Sequence, residues 1–190
     1  MIELKRATDP SWVDVAMSDV DAFLLDHASC ERKASATGLS LVCRYPDRQE
    51  MIDPLIAFAR EELEHFHRVV RLVIARGLQL LPDTKDVYVG HLQSWARKHG
   101  DARLLDQLLV CGVIEARGCE RFALLAQALP EGELKTLYDE LWRAEAKHHT
   151  LFLRLAKLYF AADELESRLE SLLQHEADVI KTLPARAALH

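Results

Sequence analysis

Glu61-Glu62-Leu63-Glu64-His65 and Glu145-Ala146-Lys147-His148 decide the reading of this chain. Each holds a Glu-x-x-His motif, Glu62/His65 and Glu145/His148, within a stretch whose apolar residues recur at helical period. Residues three apart share one face of an α-helix, so a carboxylate oxygen and an imidazole nitrogen can reach a single metal ion. Each motif also follows another helix-borne glutamate at nearly the same distance. Glu31 precedes Glu62 by 31 residues and Glu115 precedes Glu145 by 30, so the pattern occurs twice, offset by about 84 residues.

This is the spacing of a duplicated helical hairpin. In an antiparallel pair, residues at one height are equidistant from the turn, and the midpoints fall at Pro46/Asp47 and at Pro130. Proline cannot continue a helix interior, so Arg44-Tyr45-Pro46-Asp47 and Leu129-Pro130-Glu131-Gly132 read as short connections. Four ligand-bearing segments then meet at one level, roughly 22 Å from the turns at 1.5 Å per residue. Two Glu-x-x-His pairs and one glutamate from each of two further helices form the ligand set of ferritin-like di-iron and di-manganese carboxylate proteins. The expected site is therefore Glu31, Glu62, His65, Glu115, Glu145 and His148, holding two iron ions, with manganese the less favoured metal. Glu62 and Glu145 are expected to bridge the ions, Glu31 and Glu115 to bind terminally, and His65 and His148 to complete one ion each. Without cations, four buried carboxylates would be prohibitive.

Composition agrees with this architecture. The 190 residues are 49% hydrophobic, 28% charged and only 7% aromatic, which suits one helix-rich domain over 1–190. The expected fold is all-α: a ferritin-like four-helix bundle with additional crossover and C-terminal helices. Helices are expected at 12–42, with a break near Ser18, then at 48–75, 87–98, 102–129, 132–159 and 163–183. The last offers the stripe Leu165, Leu169, Leu172, Leu173 and Val179 and no ligand pair, so its role is structural.

No apolar run approaches the ~18–20 residues of a membrane span. Met1-Ile2-Glu3-Leu4-Lys5-Arg6 lacks the apolar stretch of a signal peptide, so a cytoplasmic location is expected. Cys30, Cys43, Cys111 and Cys119 have no C-x-x-C spacing, which argues against iron–sulfur or structural zinc and leaves them as small apolar residues. A net charge of −6 argues against indiscriminate coating of nucleic acid, although a local basic patch can coexist with it. Rival ligands have weaknesses. Glu64 with His67 would turn the set nearly half a turn around the helix, and Glu120 would break the matched separations. Glu61, Glu64, His67, Glu120 and His149 are therefore expected to support the site or lie at the surface.

Asp26-His27-Ala28-Ser29-Cys30-Glu31-Arg32-Lys33, Glu61-Glu62-Leu63-Glu64-His65-Phe66, Ile114-Glu115-Ala116-Arg117-Gly118-Cys119-Glu120-Arg121 and Glu145-Ala146-Lys147-His148-His149 resemble the tRNA hydroxylases that modify 2-methylthio-N6-isopentenyladenosine. The resemblance extends over nearly the whole chain. It implies a ferritin-like di-iron monooxygenase that adds a hydroxyl to the isopentenyl group of a hypermodified adenosine beside the anticodon. Its partners would be tRNA and, since no flavin, nicotinamide or iron–sulfur motif is present, an external reductase or ferredoxin. A monomer or dimer is expected. Arg32, Lys33, Arg117, Arg121, Arg143, Lys147 and Arg154 are candidates for phosphate contacts, weighed against ordinary surface or salt-bridge roles. The alternatives are a ferroxidase or iron-handling bundle, a di-iron oxidase with another substrate, a rubrerythrin-like peroxidase lacking its usual rubredoxin domain, and a metal-free helical module.

Overall fold

The computed structural model describes residues 2–190, and the described residues form seven helices and no strand. They are α1 (Trp12–Ser18), α2 (Val20–Arg44), α3 (Gln49–Ala75), α4 (Val87–Trp95), α5 (Gly100–Ala128), α6 (Glu133–Tyr159) and α7 (Ala162–Thr182). The break expected near Ser18 is present. Asp19 leaves helical geometry and its carboxylate accepts the Ala22 N–H at 2.9 Å, capping α2. The chain forms two compact units: Asp14–Thr84 with Ala185–Leu189, and the N-terminal residues through Val13 with Lys85–Pro184 and His190.

In the first unit α2 and α3 pack as a hairpin. The Tyr45 N–H closes α2 on Leu41 O at 3.0 Å, and the Arg48 N–H turns back to Tyr45 O at 3.1 Å. Positions equidistant from this turn face each other, as the midpoint argument requires. The Ser35 hydroxyl donates to Ala59 O at 2.7 Å. Gly38 lies so close to α3 that an added Cβ would stand 2.9 Å from Phe58 Cδ1 and 3.2 Å from Leu55 O, so a side chain here would force the helices apart. Gly77, at φ 75°, follows the end of α3, where the left-handed conformation favours glycine.

The second unit repeats the device with α5 and α6. Cys119 Sγ donates to Trp142 O at 3.3 Å, and the Phe122 and Tyr138 rings lie 5.4 Å apart. At the turn, Lys135 Nζ donates to Ala126 O at 2.9 Å and to Leu129 O at 3.3 Å, satisfying terminal carbonyls of α5.

The crossover helix α4 ends at Trp95, three residues before the Lys98 expected from sequence. Asp106 explains the early stop. Its buried carboxylate takes the Arg97 backbone N–H at 2.8 Å, together with Arg97 Nε and Nη2 at 2.9 Å each, so that N–H is drawn off the helical path. Arg168 of α7 bonds the same carboxylate at 3.0 and 2.7 Å and lies 3.9 Å above the Trp95 ring. The stripe of α7 is as expected at Leu165, Leu172, Leu173 and Val179, while Leu169 is half-buried. It also contains a charge that periodicity did not suggest, the fully buried Glu176.

Candidate metal centre

The first unit brings Glu31 of α2 to Glu62 and His65 of α3. All three are buried, and each offers a ligand atom within 4.8 Å of the others. His65 Nδ1 lies 3.7 Å from Glu62 Oε2 and 3.8 Å from Glu31 Oε2. A fourth residue joins them that the spacing argument passed over. His27, fully buried one turn before Glu31, places Nε2 2.6 Å from Glu31 Oε1, and its ring rests 6.1 Å from that of Phe23. The signal was present in the sequence, since i and i+4 share a helix face. Burial alone would raise the Glu31 carboxyl, but hydrogen bonds with His27 and then His65 outweigh it and hold the group well below the usual carboxylate range.

The second unit brings Glu115 of α5 to Glu145 and His148 of α6, also buried and within 4.8 Å of one another. His148 Nδ1 stands 3.0 Å from Glu145 Oε2 and 3.9 Å from Glu115 Oε2. The hairpin rule therefore selects the same trio in both units: a lone glutamate and the Glu-x-x-His pair opposite it. Buried carboxylates with one imidazole form a mixed hard and borderline donor set, suited to iron or manganese.

The rival residues lie elsewhere. Glu64 and His67 are exposed, 3.9 Å apart, and Glu61 is exposed. Glu120 accepts the Thr8 N–H at 3.0 Å and the Thr8 hydroxyl at 2.6 Å and pairs with Arg117. His149 is buried, and that burial lowers its pKa, favouring the neutral ring. Cys43, expected as a small apolar residue of a helix, is exposed rather than packed. Burial pushes the thiols of Cys111 and Cys119 up to about 12 and about 11, keeping both neutral.

The phosphate candidates also divide. Arg117 and Arg121 are buried and belong to the interior. Arg32 pairs with Asp83, and Lys33 donates to Thr84 O at 2.8 Å. Arg143, Lys147 and Arg154 are exposed on α6, at helical spacing with Lys157, which is exposed too.

Paired helices that each carry a lone glutamate opposite a buried Glu-x-x-His define the ferritin-like carboxylate class. A solved structure of the same fold, described as Protein 43 with aldehyde deformylating oxygenase activity from Synechococcus, superposes with a TM-score of 0.93 at 37% identity, covering 100% of this chain and 96% of that one. Residues 2–190 match the family tRNA-(MS2IO6A)-hydroxylase (MiaE), and the chain belongs to it. The tRNA 2-(methylsulfanyl)-N(6)-isopentenyladenosine(37) hydroxylase of Pseudomonas putida is 36% identical over 183 residues, 96% of this chain and 89% of that protein. The protein of the same name from Salmonella typhimurium is 28% identical over 222 residues, covering 91% and 82% respectively. No helix among the described residues is long and apolar enough to cross a membrane.

Proposed function

We propose that this chain is a di-iron monooxygenase that hydroxylates the isopentenyl group of 2-methylthio-N6-isopentenyladenosine in tRNA. The observation that carries the reading is the repeated trio, Glu31/Glu62/His65 and Glu115/Glu145/His148, buried in each unit of a chain that belongs to this hydroxylase family. In this reading the six residues would hold two iron ions. Glu31, Glu62, Glu115 and Glu145 would supply carboxylate ligands, and His65 and His148 would supply imidazole ligands.

Iron held there would supply O₂ activation for hydroxylating an allylic C–H bond, the second oxygen atom leaving as water with two electrons from an external reductase or ferredoxin and two protons from solvent. The chain's own residues do the rest. The carboxylates neutralise the cations in a buried setting, and the apolar walls of Phe23, Phe58, Phe122 and Phe152 within their respective units keep the helix interiors dry. For tRNA, the contacts best supported are Arg143, Lys147, Arg154 and Lys157, a basic ridge on the exposed face of α6. Arg143 pairs with Asp139 at 2.6 Å, whereas no carboxylate occurs between Glu145 and Asp163 to offset Lys147, Arg154 and Lys157. A cytoplasmic monomer or dimer fits this role.

The test is turnover of tRNA carrying the modified adenosine by reduced, iron-loaded protein under ¹⁸O₂, read by nucleoside mass spectrometry. The expected product gains one labelled oxygen. The Synechococcus relative is named for aldehyde deformylating oxygenase activity, so an aldehyde is the comparison substrate. Turnover of the aldehyde alone would reassign the substrate. Mineral-core formation in a cage-sized particle, without nucleoside product, would reassign the protein to iron handling.

A further inference from the structure

Ser29, Arg32 and Lys33 stand at i, i+3 and i+4 on α2 and share one face, turned away from the buried Glu31. On that face the chain supplies its own anion. Asp83 accepts the Ser29 hydroxyl at 3.0 Å and pairs with the Arg32 guanidinium, while Lys33 Nζ donates to Thr84 O at 2.8 Å. The Arg32 hydrogen bond holds the Asp83 carboxyl below its ordinary value, so the group is a carboxylate at neutral pH. A hydroxyl, a guanidinium and an ammonium gathered around one anion are a donor set for phosphate. The segment that brings Asp83 there is lightly held. Residues 78–84 follow Gly77 without regular structure and 79–84 are exposed throughout, Leu80 by 48% and Leu81 by 67%, so no deep apolar burial fastens these leucines to α2.

We propose that Ser29, Arg32 and Lys33 form a phosphate site for the tRNA backbone, closed in the free protein by Asp83 and opened when a backbone phosphate takes the place of that carboxylate. The exchange is like for like. A phosphodiester carries one negative charge and two free oxygens, as a carboxylate does, and presents them to the same donors. It also costs little, because the Arg32 and Asp83 side chains are 40% and 46% exposed, and a solvent-screened ion pair of this kind adds little to stability. The site occupies the outer side of the helical turn whose inner side carries Glu31, about one 10 Å helix diameter away. The phosphate it holds therefore belongs to the stretch of RNA around the hydroxylated nucleoside. This inference rests on the tRNA reading above and adds a contact on the first unit to the α6 ridge of the second.

The test is binding of tRNA carrying the modified adenosine to the full chain, followed by fluorescence anisotropy over a range of salt concentrations. Asp83→Asn removes the internal competitor and should tighten binding about twofold to fivefold. Arg32→Ala/Lys33→Ala should weaken binding and lower its salt dependence by roughly two counterions. In that double background Asp83→Asn should bring no gain, because the donors for which carboxylate and phosphate compete are gone. Asp53→Asn, which removes an exposed carboxylate of α3 in the same unit, controls for net charge and should change affinity much less. An unchanged affinity in Asp83→Asn, an equal gain in Asp53→Asn, or a gain that survives in the double background would overturn the site, while tRNA binding and turnover by the native chain stand. Failure of both the native and Asp83→Asn chains to bind the tRNA at low salt overturns the tRNA reading and this inference with it.

Discussion

Arg117 and Glu176 form an ion pair with no solvent contact on either side chain: Arg117 Nε and Nη2 donate to Glu176 Oε1 at 2.9 and 2.7 Å. The Tyr88 hydroxyl adds a third hydrogen bond to that oxygen at 3.1 Å. The rest of the guanidinium reaches the N-terminal segment through Arg6 O at 2.8 Å and Thr8 Oγ1 at 3.0 Å. One α5 side chain therefore ties together α7, α4 and the segment ahead of α1. Arg121 lies beside it, 4.9 Å over the Trp12 ring, its pKa pushed down to about 10 by burial and by Arg117.

Removing one partner leaves the other charge buried. Glu176→Gln and Arg117→Ala should each cost about 3–5 kcal/mol of unfolding free energy, measured by urea denaturation. Replacing both with methionine should recover much of that loss, because two desolvation penalties disappear with the pair. A cost below about 1 kcal/mol for either single variant would contradict this account.

Glu115 and Glu120 lie five residues apart on α5 and should fail differently. Glu115→Ala should lower iron stoichiometry and O₂ consumption with a modest effect on folding. Glu120→Ala should leave iron content intact and lower the melting temperature, since it removes the acceptor of both Thr8 hydrogen bonds and a partner of Arg117. Metal analysis alongside calorimetry distinguishes them, and the opposite ranking would move the metal position.

Asp106 sets an acid limit on stability. Burial would raise its pKa, but the bonds from Arg97 and Arg168 prevail and lower it from 3.8. A carboxylate depressed in the folded state contributes stability that is present above its unfolded pKa near 4 and lost as pH falls through the lower folded value. Asp106→Asn should therefore cost about 2–3 kcal/mol at pH 7 and much less near pH 2, so the two unfolding curves converge in acid.

The ridge on α6 should read phosphate, not sequence. A Lys147→Glu/Arg154→Glu variant should weaken tRNA binding and reduce its salt dependence by roughly one counterion per lost contact. Iron content should not change, and the loss should appear in KM more than in kcat. An unaltered salt slope would place the tRNA elsewhere.

Much of this protein follows from local chemistry. Glu62 with His65 and Glu145 with His148 share a face because of helix geometry, and Glu31 and Glu115 fall opposite them because each is as far from its proline turn as its partner. Those relations depend on 3.6 residues per turn and on counting from a turn, so one sequence was enough for the helices, the turns and both trios. The fate of the other charges was not local. Arg117 and Arg121 look like surface residues of a helix until Thr8, Glu176 and Trp12 cover them, groups more than fifty residues away in the chain. Helix α4 stops short because Asp106, nine residues further on, competes for the Arg97 N–H. A charge can be buried only where distant partners converge to replace its water, and tertiary packing alone decides where that happens.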